Sequence, residues 1–178
     1  MDFQGYSNDD KFFRRIIDNG EFLDREILET SPDYKQPIAY MVFIKDGKAL
    51  CYKRSGKGGE KRLYDNYSIG FGGHIEIFDG RNDEVIMNSL FREAEEELAS
   101  MPNKFDPKLL GFINDDSNPV GQVHIGLLYL IELEEDIKPH PHEAGEGKFM
   151  SLQELEAVKD KMETWSQIAF DVVKERLN

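Results

Sequence analysis

Residues 84–98 confine this chain more than any other stretch, because a helical apolar pattern there carries three glutamates at and inside its margin. Plotted at about 100° per residue, Ile86, Met87, Leu90, Phe91, Ala94 and Leu98 form one arc, with Asn88, Arg92 and Glu95 opposite. Glu93 and Glu96 fall at the edge of the arc, and Glu97 lies inside it, between Ile86 and Leu90. Residues three and four apart share a helix face, so these three carboxylates converge. An acidic run is more often only a solvated face. Here a carboxylate on the core side is costly unless it is paired or metal-bound. Oxygen-only ligands of this kind suit Mg²⁺ or Mn²⁺, hard ions that keep waters for a phosphate to replace. A short loop upstream, Gly72-Gly73 allows positive φ and close approach of backbone to a metal or phosphate. The residue types point to metal-assisted phosphate chemistry.

At these residues the sequence resembles the Nudix hydrolases. Their signature runs Gly, five residues, Glu, seven residues, then Arg-Glu-apolar-x-Glu-Glu-x-Gly-apolar. Gly73 opens it here, seven residues follow Glu84, and Arg92-Glu93-Ala94-Glu95-Glu96-Glu97 fits the core. Ten residues rather than five separate Gly73 from Glu84, so Phe78-Asp79-Gly80-Arg81-Asn82-Asp83 reads as a lengthened loop. That insertion changes the register of Glu84 against the glycine turn. Ala99 and Ser100 stand where the family has its closing Gly and an apolar residue, which affects how the helix ends. The resemblance spans roughly residues 37–157, from a strand and glycine turn at Ser68–Glu76 to a late strand-to-helix junction at Phe149–Leu155.

The resemblance implies an α/β (α+β) fold, an α/β/α sandwich with a mixed β-sheet between helices. Residues 1–36 are then an N-terminal extension packed on a domain of residues 37–178. It also implies a metal site of Glu93, Glu96, Glu97 and the Gly73 carbonyl holding Mg²⁺ or Mn²⁺. The expected reaction is hydrolysis of a phosphoanhydride bond in a nucleoside diphosphate linked to another moiety. Arg92 would orient the carboxylates by charge-assisted hydrogen bonds. A box glutamate, Glu96 or Glu97, or a late-loop carboxylate, Glu146 or Glu143, would serve as general base. Two other readings stay open: a nucleotide-sensing module that does not cleave, and an isoprenoid diphosphate isomerase. The complete carboxylate set disfavours the first. The second needs a cysteine near the glycine turn, whereas Cys51 sits in the preceding hairpin.

Composition bounds these readings. A chain of 178 residues suits one domain with a real core, and 39% hydrophobic residues argue against disorder. One cysteine excludes an internal disulfide and fits a reducing cytoplasm. No signal pattern opens the sequence, and no apolar run is long enough to span a membrane, so a cytoplasmic protein is expected. A net charge of −13 argues against nucleic acid or an anionic membrane as partner, leaving a small-molecule substrate; a homodimer is the default, with residues 1–36 as a candidate interface. Phosphate in so acidic a chain needs local relief. Lys53, Arg54, Lys57, Lys61 and Arg62 form a basic, glycine-rich loop, of which Lys53 and Arg54, with Gly72, are candidate substrate contacts. Loops of this sort are more often plain connections.

Along the chain, residues 8–30 carry a loose helical pattern broken at Asn19-Gly20. Ile38–Ile44 and Ala49–Lys53 read as a hairpin around Asp46-Gly47, with further strands at Tyr67–Phe71, Leu109–Ile113 and Val123–Leu133, the last central. Asn82-Asp83 can cap the acidic helix, and two helices close the chain, from Ser151 and from about Lys161. His140-Pro141-His142 lacks cysteine partners and is a loop before it is a zinc site. His74 is expected to be a structural hydrogen-bonder.

Overall fold

The computed structural model describes residues 2–54, 66–81, 84–141 and 147–177. Strand β2 (Gln36–Lys45) turns through Asp46 and Gly47, both at positive φ, into β3 (Lys48–Lys53). That left-handed pair is what a two-residue hairpin demands, and Asp-Gly supplies it at little cost. The chain then forms β4 (Tyr67–Ser68), β5 (Lys108–Asn114), β6 (His124–Glu132) and β7 (Gly147–Met150). An edge strand, β1 (Gly5–Ser7), pairs antiparallel with β5. The sheet runs β1-β5-β6-β2-β3-β4, with β7 also on β3. β2 and β6 pair in parallel over nine positions, from Gln36 with His124 to Ile44 with Glu132, while the other pairs are antiparallel. The sheet is mixed and β6 is internal, as expected.

Alternation along β2 divides the core. Ala39, Met41 and Phe43 point to one face, where they meet Ile86, Leu90 and Ala94 of helix α3 (Glu84–Glu97). Helix α1 (Lys11–Asn19) joins the same face through Phe12, which meets Phe112 edge-on at 5.7 Å. Tyr40, Val42 and Ile44 point to the other face, covered by α5 (Leu152–Glu156) and α6 (Thr164–Val173) through Leu155, Phe170 and Val173. Two short helices complete the fold, α2 (Arg25–Leu28) and α4 (Pro119–Gln122). The result is a helix–sheet–helix sandwich.

The core stripe of α3 is narrower than its sequence pattern. Ile86, Leu90 and Ala94 are buried, but Met87 is 43% and Phe91 46% exposed, and Phe91 meets Phe105 edge-on at 5.8 Å. Among the glutamates Glu93, not Glu97, lies deepest; Glu97 is half-buried and Glu96 exposed. The sheet meets this helix along the 86-90-93-94 line, while Glu97, its last residue, stands on a cavity wall. Where the family ends this helix with glycine, the Glu97 carbonyl accepts from the His140 amide at 2.7 Å, and the Ala99 amide donates to Lys138 at 2.9 Å. Backbone from residues 138–140 closes the helix, so no left-handed residue is required at Ala99. The capping pair Asn82-Asp83 lies outside the described residues.

Candidate active site

The glycine turn runs antiparallel beside β2. Phe71 exchanges backbone hydrogen bonds with Met41, and the Gly73 carbonyl accepts from the Ala39 amide at 3.0 Å. Gly72 has φ of 130°, and a Cβ there would stand 1.7 Å from the Ala39 carbonyl oxygen. Any other residue at 72 would push the turn off the strand. Gly73 answers to a different neighbour, because its Cβ would lie 2.6 to 2.8 Å from the Glu93 carboxyl group. Glycine there lets a buried carboxylate rest directly on the backbone.

Arg92 joins the pieces. Its Nε and Nη2 donate to the two carboxylate oxygens of Asp79 at 2.8 and 2.9 Å, a two-pronged pair. Nη1 donates to Glu93 at 2.7 Å and to Glu96 at 3.3 Å, and Nη2 also reaches the His74 carbonyl at 2.8 Å. Asp79 ends a 3₁₀ turn, Ile77–Asp79, where it also accepts from the Glu76 amide at 2.7 Å. Arg92 and that amide hold the Asp79 carboxyl below its usual range against the opposing effect of burial. Burial pushes Glu93 upward, opposed by Arg92, so its carboxylate gains from any added cation.

Arg92 and the glutamates it holds line part of a cavity of about 980 Å³. Gly72, Gly73, Arg92, Glu93, Glu96 and Glu97 are all on its wall, as is Arg54. Lys53 is exposed at the end of β3 and is not among the lining residues, against its expected role beside Arg54. Glu146 and Glu143 fall outside the described residues, as do Lys57, Lys61 and Arg62. Arg54 donates from Nε to buried Glu163 at 2.8 Å, and Ser68 donates to the same carboxylate at 2.6 Å. Ser166 bonds Tyr40 at 2.8 Å and accepts from the Ile69 amide at 3.1 Å. Trp165 lies across Gly126, where a Cβ would stand 2.9 Å from its ring, and meets Tyr40 edge-on at 5.6 Å.

Asp79, Glu163, Trp165, Arg25 and His124 line or brace this cavity, and sequence reasoning missed all of them as site residues. Only Asp79 had a local signal, the reciprocal capping pair it makes with Glu76. Cys51 is buried in the opposite core cluster, is not on the cavity wall, and has its thiol pushed up to about 12 by burial. It is not placed for chemistry at the glycine turn. His74 is the hydrogen-bonder expected of it: Nε2 lies 2.9 Å from Nε2 of His124, and Nδ1 lies 2.9 Å from Arg25.

A hard dication fits the carboxylate end. Every donor there is oxygen, the Gly73 carbonyl keeps a second lone pair, and the missing Cβ at 73 is what brings carbonyl and carboxylate together.

No protein-family model matches the chain. It is 36% identical over 185 residues to Protein YmaB of Bacillus subtilis, covering 98% of this chain and 90% of that protein. The crystal structure of Tm1382, described as a Nudix hydrolase, superposes with a TM-score of 0.83 at 28% identity, over 98% of this chain and 90% of that one. The Nudix domain of Shewanella oneidensis NrtR, in complex with ADP-ribose, gives 0.62 at 14% identity over 88% and 100%. A bifunctional NMN adenylyltransferase/ADP-ribose pyrophosphatase from Francisella tularensis, with AMP and a manganese ion, gives 0.59 at 16% over 94% and 46%. At such identities the last two speak for the fold.

Proposed function

The chain belongs to the Nudix hydrolase family, and on that premise we propose that it hydrolyses the phosphoanhydride bond of a nucleoside diphosphate linked to another group, using Mg²⁺ or Mn²⁺. The observation that carries this reading is the Glu93 carboxylate seated on the Gly73 backbone, with Glu96 and Glu97 on the same cavity wall. Glu93, Glu96, Glu97 and the Gly73 carbonyl would hold the ion. When bound, it supplies Lewis acidity toward phosphoryl oxygens and toward the attacking water. Arg92, fixed by Asp79 and the His74 carbonyl, keeps Glu93 and Glu96 in one orientation. Glu97, half-buried at the cavity wall, or Glu146 takes the proton from water. Arg54, steadied by Glu163, faces the cavity as a cation for a substrate phosphate, and Gly72 keeps the backbone low enough to admit it.

ADP-ribose, bound by the NrtR domain and named in the Francisella pyrophosphatase, is the first probe these relatives support. Nucleotide or phosphate release from a panel of nucleoside diphosphate derivatives, with and without Mg²⁺, tests the proposal. Metal-dependent release that vanishes in Glu97→Gln is the expected result. Binding without release across the panel would favour a sensing module instead. The isomerase reading lacks support, since Cys51 is buried and is not on the cavity wall.

A further inference from the structure

Outside the carboxylate end, one cluster gathers metal-binding side chains of a different chemical kind. Glu29 follows α2, His74 follows the glycine turn, and His124 opens β6, so three separate segments contribute to it. One donor atom from each lies within 4.8 Å of the others. The two imidazole Nε2 atoms face each other at 2.9 Å, and Glu29 Oε1 lies 3.7 Å from that of His74. Ligands on a tetrahedral ion of Zn²⁺ size stand about 3.3 Å apart, given bonds of about 2.0–2.1 Å. These separations therefore need only small adjustments. His124 is prepared as metal-binding histidines are: its Nδ1 lies 2.7 Å from the Val120 carbonyl, so that nitrogen carries the hydrogen and Nε2 presents a lone pair.

We propose that Glu29, His74 and His124 form a site for a first-row transition-metal dication of the Zn²⁺ class, which fastens the segment carrying α2 to the glycine turn. Two imidazoles and one carboxylate select such an ion over Mg²⁺, which prefers oxygen alone. The all-oxygen set at Glu93, Glu96 and Glu97 has the opposite preference, so the two sites take different ions.

Arg25 is the switch between the metal-free and metal-bound arrangements. It donates to His74 Nδ1 at 2.9 Å, which leaves the His74 hydrogen on Nε2, pointing at His124. A metal at Nε2 requires that hydrogen to move to Nδ1, where Arg25 would face it donor to donor. Arg25 must then release Glu29 Oε1, which it holds at 3.3 Å, and turn to Glu76, which it already approaches at 3.4 Å. Its side chain is 57% exposed and has the room. Arg25 therefore opposes the metal, and its removal should strengthen binding.

The test is titration of chelator-stripped protein with Co²⁺, followed by its visible absorption, then displacement by Zn²⁺. One equivalent with intense, low-symmetry absorption is expected in the wild type and equally in a Glu93→Gln/Glu97→Gln double variant, which removes the oxygen site. His124→Ala should abolish it. Glu29→Gln, on an exposed segment whose change leaves the core intact, should weaken binding at least ~10-fold, and Arg25→Ala should tighten it by a similar factor. Absorption lost in the double variant and kept in His124→Ala would overturn the proposal, as would no Co²⁺ spectrum at any concentration. Because the readout is metal binding and not turnover, its failure is separate from failure of the hydrolase reading.

Discussion

The two ends of the cavity are built on opposite principles. At the glycine turn, carboxylates outnumber cations: Glu93, Glu96 and Asp79 share the single guanidinium of Arg92, with Glu97 beside them. At the α6 end, acid and base are matched, Arg54 against Glu163, with Ser68, Ser166 and Tyr40 completing the hydrogen bonds. They also lie on different faces of the sheet, one under α3 and the other under α6. An unbalanced end is costly on its own and gains by taking up a cation. A balanced end is stable without one and keeps its shape. The proposed metal belongs at the first end, and the proposed contact of Arg54 with a substrate phosphate at the second.

The comparison breaks most sharply at Glu97. Glu97→Gln should cut turnover roughly 10²–10⁴-fold while leaving the melting temperature within a few degrees of wild type. Retained turnover would end the assignment of that wall. Glu163→Gln should do the converse, leaving Arg54 partly buried against a neutral amide, for a loss of roughly 2–3 kcal/mol and several degrees in thermal melting. Since Arg54 would lose its brace, KM should rise more than kcat falls.

A smaller effect comes with acid. Burial, then the charge of Arg25, holds His74 down at about 4, below its ordinary value near 6.5. A depressed histidine favours the folded state fully above the ordinary value and loses that contribution as pH falls from about 6.5 toward 4. The acid-side fall in melting temperature should therefore be shallower in His74→Gln, measured across that window. The smallest effect is expected at Cys51, whose buried thiol should resist alkylation in the folded protein at neutral pH and react only on unfolding.

Local signals were legible where a short segment carries its own geometry. The Asp46-Gly47 hairpin, the run of β6, the capping box from Ser151 to Glu154 and the acidic helix all follow from neighbours within a few residues. The gathering of Gly73 with Glu93 was implied by the Nudix resemblance. What escaped depends on distance or on position along a helix. Asp79 meets Arg92 across a loop whose path no pattern specifies, and Glu163 meets Arg54 over 109 residues. β1 is three residues long, too short for alternation to announce it. Glu97 shares the azimuth of Ile86 and Leu90 yet is only half-buried, because it is the last residue of α3 and stands on the cavity wall, which the helix pattern alone does not show.

The parallel pairing of β2 with β6 carries a consequence for how the protein comes into being. Gln36 and His124 are 88 residues apart, so the seam between these strands closes only after most of the polypeptide has left the ribosome. Hairpin, glycine turn and acidic helix can all form earlier, from contacts near in sequence. A nascent or truncated chain would thus carry its acidic helix before it owned a pocket for those side chains to face.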